Sequence, residues 1–229
     1  MSEKVRRMFA DIAEDYDRVN SILSFGVHHG WRTRTVQLSG AQAGDHVLDC
    51  ATGTGDLAIQ FKEKVGDSGY VLGTDFCKEM IEHAPEKVAE NNLEVDFEVA
   101  DAMNLPYEND RFDISSIAFG IRNVDDPVQA LKEMARVVKP GGQVVVLEFG
   151  QPKGLIKYPY ELYSQYIMPT LGGWISGNRE AYSYLPRTSA EFPAGNNFVE
   201  LMKEAGCFTS HMFEKLTAGI AYVYVGSVQ

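Results

Sequence analysis

The sequence predicts an α/β protein, one mostly parallel sheet with helices on both faces. Three observations predict it. Short apolar strands alternate with helices between residues 46 and 150, the pattern of a parallel sheet with crossover helices. A glycine-containing turn in "VLDCATGTGDLA" (47–58) joins the first of these strands to the first of these helices. The tail, 198–226, reads as a helix and two strands, a hairpin that would finish the sheet with an antiparallel edge.

The elements follow in order. Val5, Met8, Phe9 and Ile12 recur at helical spacing, which predicts a helix over 3–18. A second helix is expected over 29–38, anchored by Trp31 and Leu38. Strands are expected at 46–50, 70–75, 95–101, 112–120 and 141–150, and helices at 55–65, 78–91 and 126–138, the last with Pro127 in its first turn. Residues 151–190 break the rhythm and hold six of the eleven tyrosines, together with Trp174. They follow the fifth strand at the end of the sheet where ligands bind. A helical cap over an apolar pocket is expected there. The division is one domain over 1–229: N-terminal helices (1–42), a cofactor-binding core (43–150), a cap insertion (151–194), then a terminal helix and hairpin (195–229).

Composition narrows the function classes. The 229 residues suffice for a sizeable core. A net charge of −11 opposes binding to nucleic acid or to an anionic surface by bulk electrostatics. Cys50, Cys77 and Cys207 are far apart and form no zinc spacing, so no metal is expected and the thiols read as reduced, in a cytoplasmic protein. The N-terminus lacks an apolar signal core, and no apolar run reaches the ~18 residues of a membrane span. Membrane contact, where it occurs, would be peripheral.

Gly53, Gly55 and Ala58 fit a dinucleotide-type turn, which alone is weak evidence. Asp75 closes the second strand 20 residues after Gly55, where a carboxylate can accept from vicinal ribose hydroxyls. That predicts an adenosine cofactor, either NAD or S-adenosyl-L-methionine. Asp49-x-Ala51-x-Gly53-x-Gly55 resembles motif I of class I methyltransferases, with Ala51 in place of the first glycine. Asp101-Ala102 resembles the position that holds the adenine amino group. The terminal hairpin and the acids Asp49 and Asp56 also favour S-adenosylmethionine over a pyrophosphate. Asp56 could instead cap its helix, and Asp101 a turn.

The chain resembles one family over about 5–226, the ubiquinone/menaquinone C-methyltransferases (UbiE/MenG). "YDRVNSILSFGVHHGW" (16–31) is similar to its first signature, with Val19 for methionine. "RVVKPGGQVVVLEFG" (136–150) is similar to its second, with Gly150 for serine. "FGIRNVDD" (119–126), "YLPRTSAEFP" (184–193) and "LTAGIAYVYVG" (216–226) are further matching segments.

The resemblance implies a class I S-adenosylmethionine-dependent methyltransferase fold: a seven-stranded, mostly parallel sheet with an antiparallel terminal hairpin. It implies methyl transfer to a ring carbon of a polyprenylated hydroquinone, a lipid-soluble partner, of either naphthoquinol or benzoquinol type. Thr54, Asp75 and Asp101-Ala102 carry over as cofactor residues. Asp49, Gly53, Gly55 and Phe76 join the cofactor-binding set. So does Ala118 by place, although the family often has a serine there and that contact is not carried over. Oligomeric state is open, with a homodimer as one expectation.

Methyl transfer from a sulfonium needs no metal and no covalent enzyme intermediate. The enzyme must align the reactants and exclude water, worth on the order of 7–11 kcal/mol. A ring hydroxyl with a pKa near ~10 must lose its proton. Candidates to assist are Arg122, which can stabilise a phenolate; His28, a base near neutral pH; Asn123, to position a ring oxygen; and Tyr16, to line the pocket. Each has a structural alternative: an Arg122 ion pair to Asp125 or Asp126, a capping or core His28, an Asn123 that only ends the strand, a Tyr16 that only packs its helix. The insertion over 151–190 carries Lys153, Lys157, Arg179 and Arg187 against Glu161 and Glu180, and this less acidic face is expected to approach the membrane. Competing functions are an NAD-dependent oxidoreductase, a methyltransferase with a non-quinone aromatic acceptor, and a scaffold without turnover.

Overall fold

A computed structural model describes residues 3–229. Seven strands form one sheet in the order β3-β2-β1-β4-β5-β7-β6. They are β1 (His46–Cys50), β2 (Tyr70–Asp75), β3 (Asp96–Val99), β4 (Phe112–Ala118), β5 (Val138–Phe149), β6 (Phe208–Leu216) and β7 (Ala221–Val228). The first five pair in parallel, and β7 runs antiparallel to both β5 and β6. The order turns back at β1, which lies between β2 and β4, so a crevice opens beyond the C-terminal ends of these strands.

Three helices precede the sheet: α1 (Glu3–Ile12), α2 (Tyr16–Leu23) and α3 (Val27–Leu38). The helix expected over 3–18 is therefore two, separated by a 3-10 turn at Ala13–Asp15. This break lets Ile12 face the insertion while Ala13 packs on Cys77 and Met80. The core helices are α4 (Asp56–Val65), α5 (Lys78–Ile81), α6 (Ala84–Glu90) and α7 (Pro127–Arg136). The single helix expected over 78–91 is broken at Glu82–His83, between α5 and α6, because Pro85 in the first turn of α6 has no N–H to continue the hydrogen-bond ladder back to Ile81. Asp126 caps α7 by accepting from the Gln129 N–H at 3.0 Å.

The insertion is one continuous helical run followed by a second helix. The run comprises α8 (Lys157–Leu162), a π-helical turn at Tyr163–Ile167 and α9 (Met168–Ser176); α10 (Arg179–Glu191) returns against it. Helix α11 (Asn196–Ala205) leads into the hairpin. Two apolar clusters cover the two faces of the sheet, one around Phe112, Met134, Phe198 and Tyr224, the other around Trp31, Phe61, Val145 and Val223. A third joins α1 and α2 to the insertion through Ile12, Val19, Leu23 and Tyr182. The N-terminal helices and the insertion thus close over the crevice together.

Candidate active site

The turn after β1 is built by buried hydrogen bonds. Asp49 lies opposite Ser116 in the β1–β4 register and accepts from its hydroxyl at 2.7 Å. Its other oxygen accepts from Thr52 Oγ1 at 2.7 Å. Burial pushes the Asp49 pKa up to about 6. Asp75, at the end of β2, accepts from the Gly53 N–H at 2.9 Å and the Cys77 N–H at 2.8 Å, and burial raises its pKa to about 6 as well. Ala51 occupies the left-handed region at φ +48°, where glycine is favoured. A Cβ on Gly120 would lie 2.4 Å from the Ala51 Cβ, so bare backbone at Gly120 makes room for this alanine.

Two cavities meet above this turn. The first is lined by Gly53, Asp75, Phe76, Asp101, Ala102 and Ala118, with Ala51, Met80, Gly120 and Asn123 also in the wall. The second, of about 290 Å³, lies between α1–α3 and the insertion and is lined largely by Met8, Leu23, Trp31, Phe149, Tyr182 and Leu185. Phe9, Tyr16 and Phe119 line both. Phe119 stacks on Phe149 with ring centroids 4.4 Å apart, and Trp31 stands edge-on to Phe149 at 6.2 Å. The result is an aromatic wall in the larger cavity beside its junction with the smaller one.

The profile of the ubiE/COQ5 methyltransferase family matches residues 1–228. The chain belongs to that family. It is 53% identical over 232 residues to the ubiquinone/menaquinone biosynthesis C-methyltransferase UbiE of Bdellovibrio bacteriovorus, covering 99% of this chain and 97% of the relative. It is 46% identical to the demethylmenaquinone methyltransferase of Thermus thermophilus, covering 96% and 99%. The fold is similar to that of a SAM-dependent methyltransferase of Thermotoga maritima, with a TM-score of 0.69 at 20% identity and coverage of 97% and 99%. The protein is therefore an S-adenosylmethionine-dependent methyltransferase of class I fold.

The smaller cavity fits that cofactor by its donor set. The Asp75 carboxylate stands at its wall beside the Gly53 backbone; Asp101, whose Oδ1 accepts from the Met103 N–H at 2.9 Å, and the partly exposed Phe76 also line it. Six of the nine residues expected to bind the cofactor line it; Asp49, Thr54 and Gly55 do not. Asp49 lies under the turn as a brace. Thr54 Oγ1 donates to Asp17 Oδ1 at 2.6 Å, towards α2. Gly55 leaves room for Ala84 and the Phe97 ring, each of which a Cβ would approach at 3.2 Å. Asp56 forms no cap; its carboxylate pairs with Arg32 at 3.1 Å and with Lys87, which also binds Asp17 at 2.6 Å. This partly buried network ties α2 and α3 to the glycine turn. His28, His29 and Asp56 come close enough to share an ion, but the two cations already on Asp56 oppose one.

Arg122 and His28 line the larger cavity, Tyr16 lines both, and Asn123 lines the smaller one. Arg122 is buried, and its ion pair is to Glu148, at 2.8 Å, a partner the sequence reading did not consider. Its NH1 also donates to the Phe119 carbonyl, while Nε has no protein partner. Asn123 Oδ1 accepts from the Tyr184 hydroxyl at 3.1 Å. His28 Nδ1 contacts Arg32, and its Nε2 lies 3.3 Å from Ser21 Oγ. Burial first, then Arg32, lowers the His28 pKa to about 4, so the ring is neutral at pH 7. Burial raises the Tyr16 pKa, which keeps its phenol protonated. Glu148, Phe9, Phe119 and Phe149 were not singled out from sequence. For Phe119 and Arg122 the shared "FGIRN" segment was the available signal; Glu148 and Phe149 lie in the second signature segment, which marks the stretch but not the Glu148 partner 26 residues away.

The departures from the family pattern now have physical accounts. Ala51 relies on Gly120, as above. At Gly150 a Cβ would sit 2.4 Å from the Tyr222 ring, so that ring fills the space a serine side chain would need. Ala118 lines the smaller cavity with a methyl group and supplies no hydrogen bond.

Proposed function

We propose that this protein methylates a ring carbon of a polyprenylated hydroquinone, a demethylmenaquinol or its benzoquinol equivalent, and that the chain acts as one methyltransferase domain. The observation that carries this reading is the shared wall: Phe9, Tyr16 and Phe119 border both cavities, so a donor in one and a flat ring in the other meet there. The names of the relatives agree with such an acceptor.

When bound, S-adenosylmethionine supplies a methyl group made electrophilic by the sulfonium. Asp75 accepts from the ribose hydroxyls, and Asp101 accepts from the adenine amino group. Phe119, Phe149 and Trp31 hold a planar ring and exclude water. Arg122 Nε–H donates to a ring oxygen and favours its deprotonated form, the hydroxyl proton passing to solvent water as the ring enters, which raises electron density at the adjacent carbon. Glu148 and the Phe119 carbonyl fix the guanidinium for this task. Asn123, held by Tyr184, positions the second ring oxygen. His28 is too weak a base at neutral pH to take the proton and serves as cavity wall. The lipid-soluble acceptor implies peripheral contact with the cytoplasmic face of a membrane, and no helix among the described residues is long and apolar enough to cross one.

Incubation with methyl-labelled S-adenosylmethionine and a panel of reduced naphthoquinols and benzoquinols tests the reading. Label in a ring-methylated quinol is expected. Absence of label from both quinol classes overturns it.

A further inference from the structure

The exposed apolar side chains are not scattered. Ten of the thirteen large exposed hydrophobics among the described residues fall in two segments, residues 22–27 and 155–174. The first is the turn between α2 and α3, where Phe25 is 82% exposed. The second is the outer side of the insertion, with Leu155, Tyr158, Leu162, Tyr166 and Trp174, the last 84% exposed. Tyr158, Leu162 and Tyr166 repeat every four residues, so they share one stripe of the helical run. The two segments touch. The Phe25 and Tyr163 rings are 6.1 Å apart, and the Tyr163 hydroxyl donates to the Leu23 carbonyl at 2.6 Å. Phe25, Val27 and Tyr163 also line the larger cavity, so the apolar surface continues into it.

Charge singles out the same region. Residues 151–190 carry four basic and two acidic side chains in a chain of net charge −11. Both acids are paired, Glu180 with Lys4 at 2.8 Å and Glu161 with the half-exposed Lys157 at 3.7 Å. Tyrosine and tryptophan on an amphipathic helix flanked by lysine suit the headgroup boundary of a bilayer, where an aromatic ring buries its body and wets its edge.

We propose that the helical run Lys157–Ser176 and the turn around Phe25 form a bilayer-docking face, and that the opening between Phe25 and Tyr163 is the port through which the apolar tail of the acceptor reaches the cavity. The port rests on the quinol reading above; the docking face does not. The run lies along the membrane surface, with Tyr158, Leu162, Tyr166 and Trp174 inserted at headgroup depth and Lys153 and Lys157 against anionic headgroups. The tail then stays in lipid while the ring enters the cavity, and the enzyme never extracts the whole acceptor into water.

The test uses the full chain and vesicles of phosphatidylcholine with phosphatidylglycerol. Leu162→Ser, Tyr166→Ser and Trp174→Ser are combined in one variant; none of the three lines the larger cavity. Wild type is expected to sediment with vesicles. The triple variant is expected to stay in the supernatant, to keep its circular dichroism and its cofactor affinity, and to methylate a tail-less quinol at the wild-type rate. Its rate on long-tailed quinol in vesicles falls in step with vesicle binding. Lys153→Gln and Lys157→Gln weaken binding to the anionic vesicles by about fivefold each, and leave binding to pure phosphatidylcholine unchanged. Wild type that fails to sediment, or a triple variant that sediments equally, overturns the docking face. So does a homodimer in sedimentation equilibrium that the triple variant dissociates, because the face would then be a contact between copies. Vesicle binding with methylation of no quinol refutes the functional reading and the port, and leaves the docking face standing.

Discussion

Gly120→Ala introduces one methyl group into the wall of the cofactor cavity. Its Cβ would sit 2.4 Å from the Ala51 Cβ and 3.1 Å from Ile117 Cγ1. Two methyl carbons pack at about 3.5–4.0 Å, so the overlap with Ala51 exceeds an ångström. Neither alanine has a rotamer that could relieve it, and the backbone of one loop must move. Overpacking of this kind costs about 1–3 kcal/mol. Gly120 itself has a negative φ of −107°, so the added side chain brings no left-handed strain of its own. Ala51→Gly removes the partner methyl. It also relieves left-handed backbone strain of about 1–2 kcal/mol, offset by about 0.5–1 kcal/mol of glycine flexibility in the unfolded chain. The single variant Ala51→Gly is therefore expected at wild-type stability or slightly above. In the double variant only the Ile117 contact stays tight, and a flexible side chain can yield a few tenths of an ångström. The cycle predicts a coupling of about 1–3 kcal/mol, with the double variant close to wild type. Urea unfolding gives the stabilities, and calorimetry with S-adenosylmethionine reports the cavity wall, which both residues line. Additive effects, with Gly120→Ala equally harmful in both backgrounds, would refute the reasoning.

Asp75→Asn should weaken S-adenosylmethionine binding by about 10- to 100-fold, read by calorimetry, because a charge-assisted acceptor is lost. In wild type the affinity should fall about tenfold per pH unit below pH 6, as Asp75 takes its proton, and this dependence should vanish in the variant. Stability moves the other way. Between about pH 4 and 6 folded Asp75 holds a proton that the unfolded chain has lost, so this group favours the folded state at low pH and that contribution disappears as pH rises through 6. Asp75→Asn should therefore look more stable relative to wild type at pH 8 than at pH 4 in urea titrations. Arg122→Lys should lower kcat by about 100-fold with unchanged cofactor affinity, because an ammonium cannot bind Glu148 and the Phe119 carbonyl and still aim a planar N–H at the ring oxygen. Gly150→Ser, which restores the common family residue, should destabilise by about 1–3 kcal/mol, and far less beside Tyr222→Leu, which shortens the obstructing ring.

What the sequence revealed and what it hid follow from the range of the interactions. The strand–turn–helix around Gly53, the acid at the end of β2 and the alternation of elements are local patterns, and their elements lie within a few residues of the expected bounds. The terminal hairpin was legible for the same reason. Breaks in helices were not: the turn at Ala13–Asp15 carries neither proline nor glycine, and it arises because Ile12 and Ala13 pack on different neighbours. Pro85 was a local mark of the break between α5 and α6, which the expectation of one helix over 78–91 passed over. Residues that act through distant partners were silent. Lys87 reads as a surface lysine on an amphipathic helix until α2 brings Asp17 to it from 70 residues away. Thr54, carried over as a cofactor residue, turns its hydroxyl to that same aspartate. Its assignment rested on motif spacing, which fixes a position in the chain but not the side on which the hydroxyl emerges.

Backbone strain gives an independent guide to the site. Among the described residues, seven other than glycine have positive φ: Phe25, Ala51, Asn92, Asp110, Phe119, Thr217 and Ala218. Asn92 and Asp110 are of the types that tolerate this conformation. Four of the remaining five, Phe25, Ala51, Phe119 and Thr217, line one or both cavities. For such residues the conformation costs about 1–3 kcal/mol and persists only where the surroundings over-determine it. Those surroundings are visible. The Phe119 N–H donates to the Leu147 carbonyl at 2.7 Å, and its ring is clamped on Phe149. Thr217 Oγ1 accepts from the Trp31 indole at 2.8 Å. Phe25 rests on Tyr163. A sheet with two packed faces can hold loops in strained shapes that a looser scaffold would release. The strain collects where a ring, a cofactor and a lipid tail would converge, which is where rigid placement within a few tenths of an ångström raises the rate of methyl transfer.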